Sequence, residues 1–182
     1  MNDLQIFSPP EFPTNLTSKS IFLGGSIEMD KAENWQKLFI DRFRQSFTST
    51  LSIMNRDIGY LPDIASWKIL NPRREKWDSN LEQSINNPQF FQQVTWELDF
   101  LKKCKHKVFY FAKDTLSPIT LLEFGKFSTK YPDDVYLYID PAYLRKGNLE
   151  IYCHKYNIRP YESIDSIITT IKSKEFRKPK PV

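Results

Sequence analysis

Two glutamates stand where acids are costly. In "SPITLLEFGKF", residues 117–127, Glu123 lies between Leu122 and Phe124. A carboxylate among apolar side chains is unfavourable unless something pairs it or uses it. Glu97 belongs to a second such segment. Phe90, Val94, Glu97 and Leu101 recur at i, i+4, i+7 and i+11, which puts the acid on the apolar stripe of a helix. Asp99 falls about half a turn away. If the two helices flank one sheet, burial raises the proton affinity of one acid, and mutual repulsion separates the pair further. Such a pair suits displacement at a sugar carbon: one carboxylate attacks and the other manages the leaving group's proton. The competing arrangement is structural, with each acid paired to a cation such as Arg73, Arg74 or Arg145.

The elements that must position these acids follow from periodicity and punctuation. "SIFLGG" (20–25), "WKIL" (67–70), "KVFYFA" (107–112) and "VYLYID" (135–140) read as short buried strands. Helices are expected from a cap at Asp30 through about Phe47, from Pro88 to Lys103, from near Ser117, and over "YESIDSIITTIKSK". "GNLEIYCHKY" is a further short helix. The second helix is expected to bury Phe90, Val94, Leu98 and Leu101. Strands alternating with helices call for an α/β fold: an open, flavodoxin-like parallel sheet of about four or five strands with helices on both faces.

Residues 1–19, with Pro9, Pro10 and Pro13, read as an irregular arm, 20–171 as the domain, and 172–182 as a basic flexible tail. In such sheets ligands bind beyond the carboxyl ends of the strands. That rim holds Gly24, Gly25 and Ser26, then Asn71, then the 113–117 loop, with Glu123 in the second turn of the helix that follows.

Composition narrows the function classes. A length of 182 residues suits one domain with a real core. The formal charge of +4 resides in the tail, where five cations face only Glu175, so no basic stripe for nucleic acid is expected on the folded body. No stretch has the length and apolarity of a membrane span, nor the pattern of a signal peptide, so a cytoplasmic setting is the expectation. Cys104 and Cys153 each lie near one of the two histidines, His106 and His154, but that spacing suits a single zinc poorly. "LGGS" allows close backbone approach but lacks both the dinucleotide fingerprint and the Walker lysine. No metal or organic cofactor is expected.

The order "IFLGGSIE", "WEL", "SPITLLEFG" over about residues 20–156 resembles the nucleoside 2-deoxyribosyltransferases and the related deoxynucleoside-monophosphate N-glycosidases. The resemblance implies exchange or cleavage of the N-glycosidic bond of a small nucleoside or nucleotide, and a homo-oligomer. Glu123 matches the nucleophile that forms a glycosyl ester at C1′. Glu97 stands where the transferases carry an aspartate that handles the base. Phe22 to Ser26, including Gly24 and Gly25, match the segment lining the sugar pocket. Asn148 matches an asparagine that reaches a neighbouring subunit's site.

Three positions depart from the family pattern. Phe22 replaces a tyrosine whose hydroxyl steadies the nucleophile. Ser117 stands where transferases of free nucleosides often have aspartate and the monophosphate enzymes a phosphate-binding serine. Glu28 stands in place of a phosphate-binding arginine. With Glu28 expected to face outward toward the helix after Asp30, the donors Ser117, Gly25, Ser26, Arg73 and Arg74 favour a 5′-phosphate. Two alternatives remain open at this point: an NAD-type glycohydrolase and a non-catalytic nucleotide-binding module.

Overall fold

The computed structural model describes residues 3–28, 31–54, 63–74 and 81–176. Five parallel strands form an open sheet in the order β1-β3-β2-β4-β5: β1 Gln5–Phe7, β2 Ser20–Gly25, β3 Lys68–Leu70, β4 His106–Phe111 and β5 Val135–Ile139. The helices between and after them are α1 Trp35–Met54, α2 Pro88–Lys103, α3 Pro118–Lys130, α4 Lys146–Lys155 and α5 Ile164–Phe176. The arrangement is α/β and flavodoxin-like.

Strand alternation divides the core in two. Ile21, Leu23, Val108 and Tyr110 point to one face, where Trp35, Phe39 and Phe43 of α1 and Ile167 and Ile171 of α5 cover them. Phe22, Phe109, Phe111 and Leu137 point to the other, under Trp96 and Phe100 of α2, Phe124 and Phe127 of α3 and Leu149 of α4. Both faces of β2 and β4 are covered, which is why those strands read as continuous apolar runs rather than as alternation.

The chain leaves β2 for α1 on one face and leaves β4 for α3 on the other. These strands are neighbours, paired from Ile21–His106 to Gly25–Tyr110. A crevice therefore opens between their carboxyl ends, where the strand order reverses. Gly25 sits at this point for a steric reason. A Cβ there would lie 2.6 Å from the Tyr110 carbonyl oxygen and 2.7 Å from the Trp35 ring, so any side chain would have to displace one of them.

Several expectations are corrected. The N-terminal arm is not irregular throughout: Gln5–Phe7 adds an edge strand beside β3, Leu4 enters the core, and the Glu11 carbonyl accepts the Trp96 indole N–H at 2.7 Å. Helix α1 starts at Trp35, with the Asn34 side chain accepting from Lys37 N–H at 3.1 Å; Asp30, the expected cap, lies outside the described residues. The tail from residue 172 begins as the last turn of α5. There Lys172 donates to the Ser46 carbonyl at 2.8 Å and Glu175 accepts from Ser18.

Helix α2 has the expected bounds, with Asn87 as cap and Pro88 in its first turn, but it buries Gln93, Trp96, Phe100 and Leu101. Leu98 is exposed. Two large aromatics offer more apolar area than valine and leucine, so they set the rotation of the helix.

Candidate active site

The acids come together on the α2–α3 face, above the carboxyl ends of β2 and β4. Glu123 is 9% exposed, in the second turn of α3 between Leu122, which is out in solvent, and Phe124, which is in the core. Phe124 packs edge-on against Phe109 and Phe111 of β4, with ring centroids 5.5 Å and 5.9 Å apart. This anchors the turn that carries Glu123. Among the described residues no hydrogen bond or ion pair reaches its carboxylate. Burial, and then the nearby charge of Glu97, push Glu123 up to about 8.

Glu97 is held differently. Gln93, one helical turn earlier, donates its amide N–H to Glu97 Oε1 at 2.6 Å and to the Pro72 carbonyl at 3.0 Å. Arg74 donates from Nε to the Gln93 side-chain oxygen at 2.6 Å. Burial pushes Glu97 up to about 7, while the Gln93 bond and the positive field of Arg74 pull it back. The structural ion pair considered from sequence thus applies in part to Glu97 and not to Glu123. Two carboxyls that titrate near neutrality, one of them within the field of the other, can hold one proton between them. One is then free to attack and the other to donate.

The raised proton affinity has a consequence for stability. In the unfolded chain Glu123 titrates in the ordinary carboxylate range, so between that range and about 8 the native state binds more protons. Stability therefore falls as pH rises through this window. Glu123→Gln removes the penalty. It should leave the melting temperature unchanged near pH 4.5 and raise it near pH 8.5, by an amount reflecting a few kcal/mol. Equal melting shifts at the two pH values would contradict the burial assigned to this carboxyl.

The remaining expected site residues divide into those at the crevice and those already engaged. Phe22 is 1% exposed and packs on Trp96, so it is core beneath the site and not a wall open to ligand. Gly24 and Gly25 form the buried end of β2. The Ser26, Thr115 and Ser117 hydroxyls satisfy one another, with oxygen separations of 2.5 Å for Ser26–Ser117, 2.8 Å for Thr115–Ser117 and 3.0 Å for Ser26–Thr115. The Ser26 hydroxyl also accepts from Ala112 N–H at 3.0 Å. Ser117, expected to bind phosphate, is thus a buried lock between two loops.

Asn71 folds its side chain back to accept Arg73 N–H at 3.0 Å, an Asx turn at the end of β3. Arg73 then reaches the Glu33 carbonyl at 3.2 Å, away from the acids, so the two arginines do not act together. Asn148 lies exposed on α4, with no hydrogen bond to any site residue among the described residues.

Glu28 overturns an expectation directly. It does not face outward. Its Oε1 accepts the backbone N–H groups of Leu116 at 2.8 Å and Ser117 at 2.6 Å, at the start of α3. The reason is local: Ser117 sits at φ 49° in the left-handed region, and its own side chain does not cap the helix. The loop's amides point outward as a nest, and Glu28, just past β2, is the anion within reach. Sequence reasoning also missed Gln93, although its i, i+4 relation to Glu97 was the available signal.

A search of curated proteins gives no match to this chain. A scan against protein-family models matches residues 18–141, from just before β2 to just after β5, and the chain belongs to the nucleoside 2-deoxyribosyltransferase-like family.

Proposed function

We propose that the protein cleaves or exchanges the N-glycosidic bond of a 2′-deoxynucleoside through a glycosyl ester on Glu123. One observation carries the reading: a buried carboxyl with no hydrogen-bond partner among the described residues stands beside a second carboxyl in the crevice where the strand order reverses. A purely structural acid would have a cation or donors.

In the first step a Glu123 oxygen bonds to C1′ as the C1′–N bond breaks. The reactive form carries the pair's single proton on Glu97 with Glu123 ionised, the minor arrangement because Glu123 has the higher proton affinity. The bonding pair leaves with the base, and that proton passes from Glu97 to it. In the second step a new base or a water attacks C1′. Glu97 takes the proton released, and the ester electron pair returns to Glu123. Gln93 and Arg74 keep Glu97 aimed at the leaving group. The apolar floor of Phe109, Phe111 and Phe124 limits water at the ester, which favours transfer when an acceptor base is present.

The test is chromatographic, using each common deoxynucleoside with and without a second free base. The reading expects the substrate's base to be released and a new nucleoside to form when the acceptor is added. Stoichiometric binding without products would sink the enzyme assignment, and release of nicotinamide from NAD alone would move it to glycohydrolysis.

A further inference from the structure

We infer that Glu28 is a positioning residue: its carboxylate straps the turn before α3 to the end of β2 and so keeps Glu123 aimed. Its part in turnover rests on the reaction proposed above, whereas its hold on the place of Glu123 does not.

Glu28 is anchored on one wall of the crevice and bonded to the other. Its carbonyl accepts the N–H groups of Lys31 at 3.2 Å and Ala32 at 2.8 Å, on the way into α1. Two residues earlier, the Ser26 carbonyl accepts the Trp35 indole N–H at 3.2 Å, which fixes the end of β2 to the same helix. The Glu28 side chain then crosses over, and its Oε1 takes the Leu116 and Ser117 amides. Bonds from amides to a carboxylate are about twice as strong as neutral ones.

The turn it holds needs holding. Asp114 at φ 58° and Ser117 at φ 49° both sit in the left-handed region, which residues with side chains keep when their surroundings impose it. The Ser117 side chain gives α3 no cap. The way Ser117 faces sets the start of the helix, through the bond from Leu121 N–H to the Ser117 carbonyl at 2.9 Å. Glu123 follows two residues later. Phe124 and Phe127 fix the depth of α3 against the sheet, and the strap fixes the direction of its start, about 9 Å along the axis from Glu123. Among the described residues the Glu123 carboxylate has no hydrogen bond of its own, so it depends on its helix for aim. A displacement of about 1 Å can cost about a hundredfold in rate.

Two measurements on the full-length protein test this. The first is deoxynucleoside turnover by the unmutated protein, Glu28→Ala and Glu28→Gln. Glu28→Ala should lower kcat by about ten- to a hundredfold with KM within about threefold, since what is lost is the aim of the attacking group. Glu28→Gln keeps a neutral oxygen for the two amides and should recover part of that loss. An unchanged kcat in both variants, or a loss carried by KM instead, would overturn the inference.

The second measurement needs no turnover. Glu123→Gln is expected to raise the melting temperature near pH 8.5, because it removes a buried charge. In a Glu28→Ala background the start of α3 loosens and water reaches Glu123, so the same substitution should raise it less than about half as much. Glu97, the charge that acts on Glu123 from α2, keeps its Gln93 and Arg74 support in both backgrounds, so the difference reports hydration of Glu123. Equal increments would overturn the inference even if the glycosidic activity is real. Conversely, a chain that turns over no deoxynucleoside but shows the smaller increment would refute the proposed reaction and leave the strap standing. If Glu28→Ala fails to fold, the same cycle runs on Glu28→Gln, where a smaller reduction is expected and no reduction would overturn the inference.

Discussion

The Glu123→Ala protein is expected to fold normally and to show no turnover. The side chain makes no hydrogen bond within the described residues, so its loss breaks no network. Its neighbour Phe124, which anchors this turn of α3 to β4, is untouched. What disappears is the group that bonds to C1′. Without it the two-step displacement has no first step, and acid catalysis by Glu97 on the departing base is all that remains. Thermal denaturation should show a melting temperature no lower than that of the unmutated protein at pH 8, because a buried, repelled carboxyl has been removed. Residual activity above a few per cent would assign the chemistry to another residue.

The second large effect belongs to Glu97. Glu97→Gln should lower kcat by about a hundred- to ten-thousand-fold while changing substrate affinity little, since the amide keeps the size and the hydrogen bond from Gln93 but cannot carry the proton. The pH profile separates this from a structural role. In the unmutated protein the active form holds one proton on the acid pair. Activity therefore rises as the first carboxyl ionises near 7 and falls as the second ionises near 8, giving a narrow bell. In Glu97→Gln the alkaline limb should vanish with the donor. The remaining acid limb should belong to Glu123 alone and lie below about 8, because Glu123 no longer ionises against a neighbouring negative charge. A loss of kcat with both limbs unmoved would mark Glu97 as part of the Arg74–Gln93 scaffold only.

How far the sequence reveals this site depends on how local each determinant is. Glu123 and Glu97 were legible because an acid breaking an apolar stripe is visible within one helix. Strands β2 to β5 were legible because both faces of each are covered, so the run itself is apolar. The edge strand at Gln5–Phe7 was not, since three residues beside prolines carry no period and become a strand only by pairing with β3. The rotation of α2 was misjudged for a related reason: Val94 and Leu98 fit the period as well as Trp96 and Phe100, and only the sheet beneath decides between them.

Glu28 is the clearest case. Its partners are amides 88 and 89 residues away, and no local pattern announces them. The neighbouring helix start after Asp30 looked like the nearer dipole, and the chain uses the other one. Ser26 and Ser117 show the same limit. As residue types they suit phosphate, and only the fold shows them spent on each other.

The claim on which everything else rests is the covalent ester on Glu123. Incubation with a 2-fluoro-arabinosyl nucleoside, whose fluorine slows both formation and breakdown of the ester, followed by intact-mass measurement and peptide mapping, tests it directly. The account predicts one added fluoroglycosyl group per chain, on the peptide containing Glu123, and none on Glu123→Ala. A label on any other residue, or unlabelled protein that still turns over the natural deoxynucleoside, would contradict it.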